Sequence, residues 1–161
     1  MNRIYKELKI SSSKESLAKV EKFIDEICDK YYIANSYYGN ISVAIMEAVK
    51  NAIIHGNSND QHKFVKISFK SIQNGLCFRI ADQGNGFDFR NVKSPIEVDD
   101  KAAENVGKGI FLIRSLADQV SYNSKGNIIE IIFLISSINQ ETTLNRISQI
   151  HQYFKKQKSL A

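Results

Sequence analysis

The sequence lacks the long apolar stretch that a membrane-spanning helix requires. Its longest apolar run, Ile128–Ile135, is interrupted by Glu130 and falls far short of the roughly 20 residues of a span. The first residues, Met1–Lys6, contain no apolar segment of the kind found in signal peptides. We therefore expect a cytoplasmic protein that does not enter a membrane.

Cysteine is scarce, and charges of one sign do not accumulate. Cys28 and Cys77 lie far apart, with no metal-ligand spacing around either, so both are expected to be structural thiols in a reducing compartment. Lysine and arginine exceed aspartate and glutamate by 22 − 17 = 5, yet no run of five like charges occurs. This distribution does not indicate direct nucleic-acid binding, and it leaves an acidic protein partner open.

Two common nucleotide-binding motifs are also missing. The chain contains neither Gly-x4-Gly-Lys-Ser/Thr nor Gly-x-Gly-x-x-Gly, which excludes a P-loop and the dinucleotide-binding fingerprint. The chain does contain the material for a core, since 43% of its 161 residues are hydrophobic. This length and composition fit one domain with a short extension.

The most informative stretch is Val43–Asn57, which has the pattern of one amphipathic helix. Its residues Glu47, Asn51 and His55 are spaced four apart, so they stack along one edge of the apolar face. A carboxylate and a carboxamide at that edge can face a cavity beside the helix. An ordinary amphipathic helix is the alternative, and His55 is better explained as packing or capping the helix end. The apolar face comprises Ile41, Ala44, Ile45, Ala48, Val49 and Ala52.

The periodicity of the whole chain predicts an α+β fold. The order of the elements implies a mostly antiparallel sheet with helices on one face, and Asn74-Gly75 marks a hairpin turn. The predicted strands are Ile4–Ile10, Phe64–Ser71, Leu76–Ile80, Val120–Tyr122 and Ile128–Ile135, and the predicted helices are 14–31, Val43–Asn57, Ile110–Leu116 and Asn139–Lys158, with Ala34–Asn40 as a connection.

A glycine-containing turn follows the third predicted strand. Asp82, Gly84 and Gly86 form Asp-x-Gly-x-Gly directly after it. Glycines two apart let the backbone approach a ligand closely, and an aspartate can accept a hydrogen bond from a ligand N–H. Taken alone, the same residues are more often a plain turn.

A polar, aperiodic segment and a second glycine pair come next. Asp88–Val106 contains the single proline and is long for a connection in a compact domain, so we interpret it as a functional lid. Gly107 and Gly109 are predicted to open a helix whose N–H groups hold phosphate. A flexible hinge of the lid is the alternative explanation for this pair.

The ordered set of motifs resembles the GHKL ATPase superfamily, which includes gyrase, heat-shock chaperone and histidine-kinase ATP domains. Within it, the stretch from about Ile4 to Ile135 is similar to the anti-sigma-factor/serine-protein-kinase branch, on the motifs Glu47–Gly56 and Gly107–Asp118. The resemblance implies the Bergerat fold, a two-layer sandwich, over residues 1–137, and leaves residues 138–161 as a helical extension. The chain shows no histidine-bearing dimerisation helix pair, so we do not expect a complete histidine kinase.

The resemblance also implies a role for each motif residue. Asn51 would hold Mg²⁺ against the ATP phosphates, and Glu47 would be the general base. Asp82 would accept from the adenine amine, Gly86 would let the base pack against backbone, and the second glycine pair would let the lid close on the phosphates. The implied nucleotide-binding set is Asn51, Asp82, Gly84, Gly86, Gly107, Lys108 and Gly109.

The function implied by the resemblance is that of an ATP-dependent serine/threonine kinase of the anti-sigma type. Such a protein sequesters a sigma factor and phosphorylates a serine on a small anti-anti-sigma protein of the STAS type. Members of this branch often form homodimers, and the resemblance leaves homodimer formation by this chain an open question. The residues leave two rivals: a non-catalytic module whose binding surface ATP switches, and a detached histidine-kinase-like ATP domain that phosphorylates another chain.

Overall fold

Five strands form one sheet in the computed structural model, which describes residues 5–92, 101–135 and 140–159 of the chain. Across the sheet the strands run in the order β1-β2-β3-β5-β4, and every neighbouring pair is antiparallel. Each predicted strand is present to within one residue at either end. The bounds are β1 Tyr5–Ser11, β2 Phe64–Ile72, β3 Gly75–Ala81, β4 Gln119–Tyr122 and β5 Ile128–Leu134.

One face of this sheet is apolar and the other is polar. In β2, Val65, Ile67 and Phe69 are buried, whereas Lys66 points to the opposite face and is exposed. Successive side chains of a strand point to opposite faces, so one face is covered and the other meets solvent. The predicted α+β sandwich with helices on one face of an antiparallel sheet is therefore confirmed.

The described ranges contain four α-helices. The first three supply one side of the core, which packs on the apolar face of the sheet. The fourth lies on the third, with the rings of Phe111 and Tyr153 5.2 Å apart between centroids. The bounds are α1 Leu17–Lys30, α2 Asn35–Asn51, α3 Lys101–Leu116 and α4 Gln140–Ser159, and a 3₁₀ turn, Lys14–Ser16, precedes α1.

The appended helix of the C-terminal segment is thus present as predicted. The ring of Tyr153 is 1% exposed, so α4 is tied to the rest of the fold by a large buried side chain. Residues 136–139 lie outside the described ranges, and the division of the chain at 137/138 stays a prediction.

The prediction that Ala34–Asn40 is a connection was wrong, because α2 begins at Asn35. Tyr37 is buried four residues before Ile41 and extends the apolar face by one turn. Gly39 and Asn40 have low helix propensity, and they conceal this first turn in the sequence.

The end of the same helix also differs from the prediction of one regular helix through Asn57. After Asn51 the chain turns more widely, as a π-helix over Ala52–Gly56. The Asn57 N–H donates to the Ala52 carbonyl, five residues earlier, over 2.8 Å. Such wide turns shift the direction of every following side chain and are frequent at functional sites.

The third correction concerns α3, which was predicted to start with the second glycine pair. It starts at Lys101, so Gly107 and Gly109 lie inside the helix and residues 101–106 are not part of an irregular lid. The stretch Lys101–Glu104 consists of good helix formers, which explains the early start. Of the predicted lid, residues 93–100, including Pro95, lie outside the described ranges.

Both cysteines are buried, as expected for structural thiols. Cys28 lies on α1 at 4% exposure and Cys77 lies in β3 at 2%. Burial raises the pKa of each thiol to about 11, which keeps both in the unreactive neutral form. None of the helices in the described part of the chain combines the length and the apolar character that crossing a membrane demands.

Candidate functional site

A cavity of about 210 Å³ lies between α2, α3 and the ends of β3 and β5. Most of its wall is apolar, which suits the faces of a flat heterocycle. A few polar groups converge on it, among them the side chains of Asn51 and Asp82. The apolar wall includes Ile80, Ile110, Ile113, Ile129, Phe87 and Tyr122.

Asp82 is held at the cavity wall by its neighbours along the chain and across the sheet. Its carboxylate Oδ1 accepts from the Gly84 N–H over 2.7 Å. Its backbone N–H donates to the Asn127 carbonyl over 3.0 Å, and its own carbonyl accepts from Asn127 Nδ2 over 3.2 Å. Burial raises the pKa of the Asp82 carboxyl above its ordinary value. No other described residue donates to this carboxylate, so its second oxygen is free for a donor on a ligand.

The loop after Asp82 packs backbone against backbone, which explains the glycines. A Cβ on Gly84 would lie 1.9 Å from the Gly56 carbonyl oxygen. Gly86 has φ +77°, and a Cβ there would lie 1.7 Å from the Lys125 carbonyl oxygen. Only glycine fits either position. Gly86 lies on the cavity wall, whereas Gly84 is buried behind Asp82.

Glu47, Asn51 and Gly109 meet where α2 crosses α3. The position of a Cβ on Gly109 would lie 3.0 Å from Asn51 Nδ2 and 3.2 Å from Glu47 Oε2. The missing side chain therefore gives the carboxylate and the carboxamide their room. Glu47 Oε1 accepts from Lys50 Nζ over 3.2 Å, and the Glu47 side chain is 23% exposed. The predicted pairing of Glu47 and Asn51 along one helix edge is present.

Gly109→Ala should separate the stability of the fold from the geometry of this crossing. Alanine in a helix interior stabilises the fold by up to about 1 kcal/mol relative to glycine. The added methyl would displace Asn51 and Glu47. We expect an unchanged or higher melting temperature together with Mg·ATP binding weakened by roughly tenfold, about 1.4 kcal/mol, measured by calorimetric titration.

Gly39→Ala is the matched control for this substitution. Gly39 lies inside α2, and a Cβ there would have no heavy atom within 4 Å. Its replacement should give the same gain in stability and leave nucleotide binding as in the parent. Equal binding by both variants would show that Asn51 and Glu47 do not need the space at Gly109.

The second glycine pair does not occupy the predicted position. Gly107, Lys108 and Gly109 lie within α3, where N–H groups are engaged by carbonyls four residues earlier. In this structure they do not form an open helix N-terminus, and their contact with phosphate stays a prediction. Lys108 is half-buried, and Gly107 and Gly109 are buried. His55 lines the cavity. The sequence analysis had assigned it only to packing or capping the helix end.

An aromatic cluster beside the cavity was missed by the sequence analysis. The rings of Phe89 and Tyr122 stack 4.6 Å apart, and Phe87 meets Tyr122 edge-on at 5.4 Å. Arg114 of α3 donates to the Phe89 carbonyl over 3.2 Å. Burial raises the pKa of Tyr122 to about 12. The alternation of Phe87 and Phe89 after the glycines was a usable indication of a packed segment.

A resident metal site built from protein side chains alone is not present among the described residues. They contain no cluster of three or more histidine, cysteine, aspartate or glutamate side chains. Asn51 and Glu47 offer an amide and a carboxylate oxygen side by side, which suits an ion that takes its other ligands from phosphate and water.

Comparison with known proteins agrees with this geometry. The family described as histidine kinase-like ATPase domain matches residues 10–133. A serine-protein kinase RsbW of Oceanobacillus iheyensis is 26% identical over 130 residues, covering 77% of this chain and 82% of the relative. The protein of the same name from Staphylococcus aureus strain Newman is 30% identical over 131 residues, covering 74% of this chain and 80% of the relative. The expected resemblance to the serine-protein-kinase branch is confirmed, and this chain belongs to the histidine kinase-like ATPase domain family.

Proposed function

We propose that this protein is an ATP-dependent protein serine/threonine kinase of the anti-sigma type. It sequesters a sigma factor and phosphorylates a serine on an anti-anti-sigma partner of the STAS type. The observation that carries the proposal is the meeting of Glu47 and Asn51 at Gly109, beside the cavity that Asp82 lines. The relatives named serine-protein kinase support the same class.

The cavity fits an adenine base. Its apolar wall can cover the faces of the ring, and the Asp82 carboxylate presents an acceptor to an exocyclic amine. Gly86 brings backbone to the cavity wall, and Gly84 lets the loop that carries Asp82 pack against the Gly56 carbonyl, where a side chain would collide. Asp82 thereby selects a base with an amine and repels one that carries a carbonyl oxygen there.

The phosphates would extend from the cavity toward the crossing of α2 and α3. Asn51 would hold Mg²⁺ through its side-chain oxygen, since it is the cavity-lining amide next to Glu47. When bound, Mg²⁺ neutralises phosphate charge and orients the transferred group. Lys108, between Gly107 and Gly109 on α3, is the candidate to add positive charge at the phosphate end.

Glu47 would act on the acceptor rather than on the nucleotide. Its carboxylate would take the proton of the serine hydroxyl as the new oxygen–phosphorus bond forms and the bond to the ADP leaving group breaks. In this structure the carboxylate pairs with Lys50.

Recovery of partners from the native cell tests the proposal. The tagged full chain, with and without Mg·ATP, should retain a sigma factor, and a small anti-anti-sigma protein should acquire phosphoserine. The Asp82→Asn variant serves as the nucleotide-free control. Nucleotide-dependent capture without any phosphate transfer would replace the kinase with a non-catalytic switch. Capture of neither partner would refute the anti-sigma assignment.

A further inference from the structure

We propose that Asn57 is a positioning residue for nucleobase recognition, acting through Asp82. It lies just beyond the π-helix that ends α2 and does not line the cavity. Its side chain fixes the backbone of Gln83, the residue that follows Asp82, and so determines the position of the Asp82 carboxylate. The inference rests on the proposed nucleotide binding and extends it to the residue that maintains the selectivity for an amino-purine.

Asn57 is completely buried, at 0% exposure, and each polar atom of its side chain has a partner. Its Oδ1 accepts from the Gln83 N–H over 2.8 Å. Its Nδ2 donates to Ser12 Oγ over 2.7 Å and to the Phe64 carbonyl over 3.0 Å. One amide therefore joins the end of β1, the start of β2 and the loop after β3. A buried amide with its capacity satisfied in this way specifies a single arrangement of the groups around it.

The wide π turn is what directs this side chain inward. The Asn57 N–H donates to the Ala52 carbonyl, five residues earlier. Ser58 and Asn59 then adopt φ values of +54° and +57°, which reverse the chain immediately after Asn57. Non-glycine residues seldom hold such values, and two in succession mark a geometry that the surrounding structure enforces.

Gln83 is held by two hydrogen bonds, one at its backbone and one at its side chain. While its N–H is bound by Asn57, its side-chain Oε1 accepts from the Phe64 N–H over 2.6 Å. The adjoining Gly84 N–H is the donor that fixes Asp82 Oδ1. Any shift of residue 83 therefore moves both Asp82 and the donor that orients its carboxylate. Loss of the Asn57 amide should loosen the acceptor without removing it.

The expected consequence is a loss of discrimination as well as of affinity. Asn57→Ala should weaken ATP binding about tenfold. This is the size of effect expected when one hydrogen-bond acceptor, the Asp82 carboxylate, is no longer held in place. It should also reduce the preference for ATP over ITP, in which a carbonyl oxygen replaces the amine. A purely structural role would lower the melting temperature and leave that preference unchanged.

The experiment is calorimetric titration of the full chain with Mg·ATP and Mg·ITP. Ser12→Ala is the matched control, because it removes a hydrogen bond from the same buried amide but not the bond to Gln83. It should lower the melting temperature and keep the parent ratio of the two affinities. Gln83→Ala is the second variant, since its side chain is exposed and the fold should tolerate its removal. Gln83→Ala should also reduce the ATP-to-ITP affinity ratio, by a smaller factor than Asn57→Ala does.

A double-mutant cycle of Asn57→Ala with Gln83→Ala shows whether the two residues act on the same placement of Asp82. The double variant should then reduce the ATP-to-ITP affinity ratio no further than Asn57→Ala does alone. An unchanged ratio in Asn57→Ala, or in Gln83→Ala should the first variant not fold, overturns the inference. A parent chain that binds neither nucleotide overturns the proposed function itself, so the two failures are distinguishable.

Discussion

Asp82→Asn should abolish the rise in melting temperature that Mg·ATP causes in the parent. At a ligand concentration 100-fold above its dissociation constant, binding stabilises the native state by about 2.7 kcal/mol. For a chain of this size that corresponds to a rise of roughly 5–10 °C. The substitution replaces one carboxylate oxygen with an NH₂ group, which cannot accept from the adenine amine. The measurement is thermal unfolding with and without nucleotide.

The apo protein should melt at the same temperature as the parent, or slightly higher. Burial raises the pKa of the Asp82 carboxyl, which means that its charged form costs stability at neutral pH. A neutral asparagine avoids that cost and can still accept from the Gly84 N–H through its remaining oxygen. Loss of the nucleotide effect therefore does not reflect a damaged fold.

Asp88→Asn provides the matched control in the same loop. Asp88 is exposed, does not line the cavity, and accepts from the Arg90 N–H over 3.2 Å. It should keep the full nucleotide-induced shift. A parent-sized shift in Asp82→Asn would remove Asp82 from base recognition, and with it the assignment of the cavity to adenine.

The strands and the shared helix edge of Glu47 and Asn51 were predictable because local patterns determine them. Alternation along β2 and β3 defines a buried face wherever one side of a sheet is covered. Glu47 and Asn51 share a helix edge by spacing alone. That this edge lies beside Asp82 required the resemblance, since sequence spacing does not say which distant segments meet.

What escaped prediction depends on tertiary contacts. The start of α3 was hidden because its glycines resemble a helix boundary, yet Gly109 is there to admit Asn51 and Glu47. The π turn after Asn51 carries no distinctive composition. Asn57 looks like part of a polar helix stop, and only its three buried hydrogen bonds show otherwise.

Glu47→Gln should separate chemistry from binding. The amide keeps the shape of the side chain and can still contact Lys50, but it cannot accept the proton of a serine hydroxyl. ATP should bind about as well as in the parent, while phosphate transfer to the antagonist falls by about 10²–10⁴-fold, the usual contribution of a general base. The assay is transfer of radiolabelled phosphate to the recovered partner.

Two further variants serve as controls for the loss of phosphate transfer in Glu47→Gln. Lys50→Gln removes the ion pair but keeps the carboxylate, so transfer should stay close to that of the parent. Asn51→Ala should lose both binding and transfer, because the proposed metal ligand is gone. Acid treatment of the product then identifies the acceptor, since phosphoserine survives acid and phosphohistidine does not. Full transfer by Glu47→Gln would remove Glu47 from the mechanism, and an acid-labile product would assign the protein to the histidine-kinase-like rival.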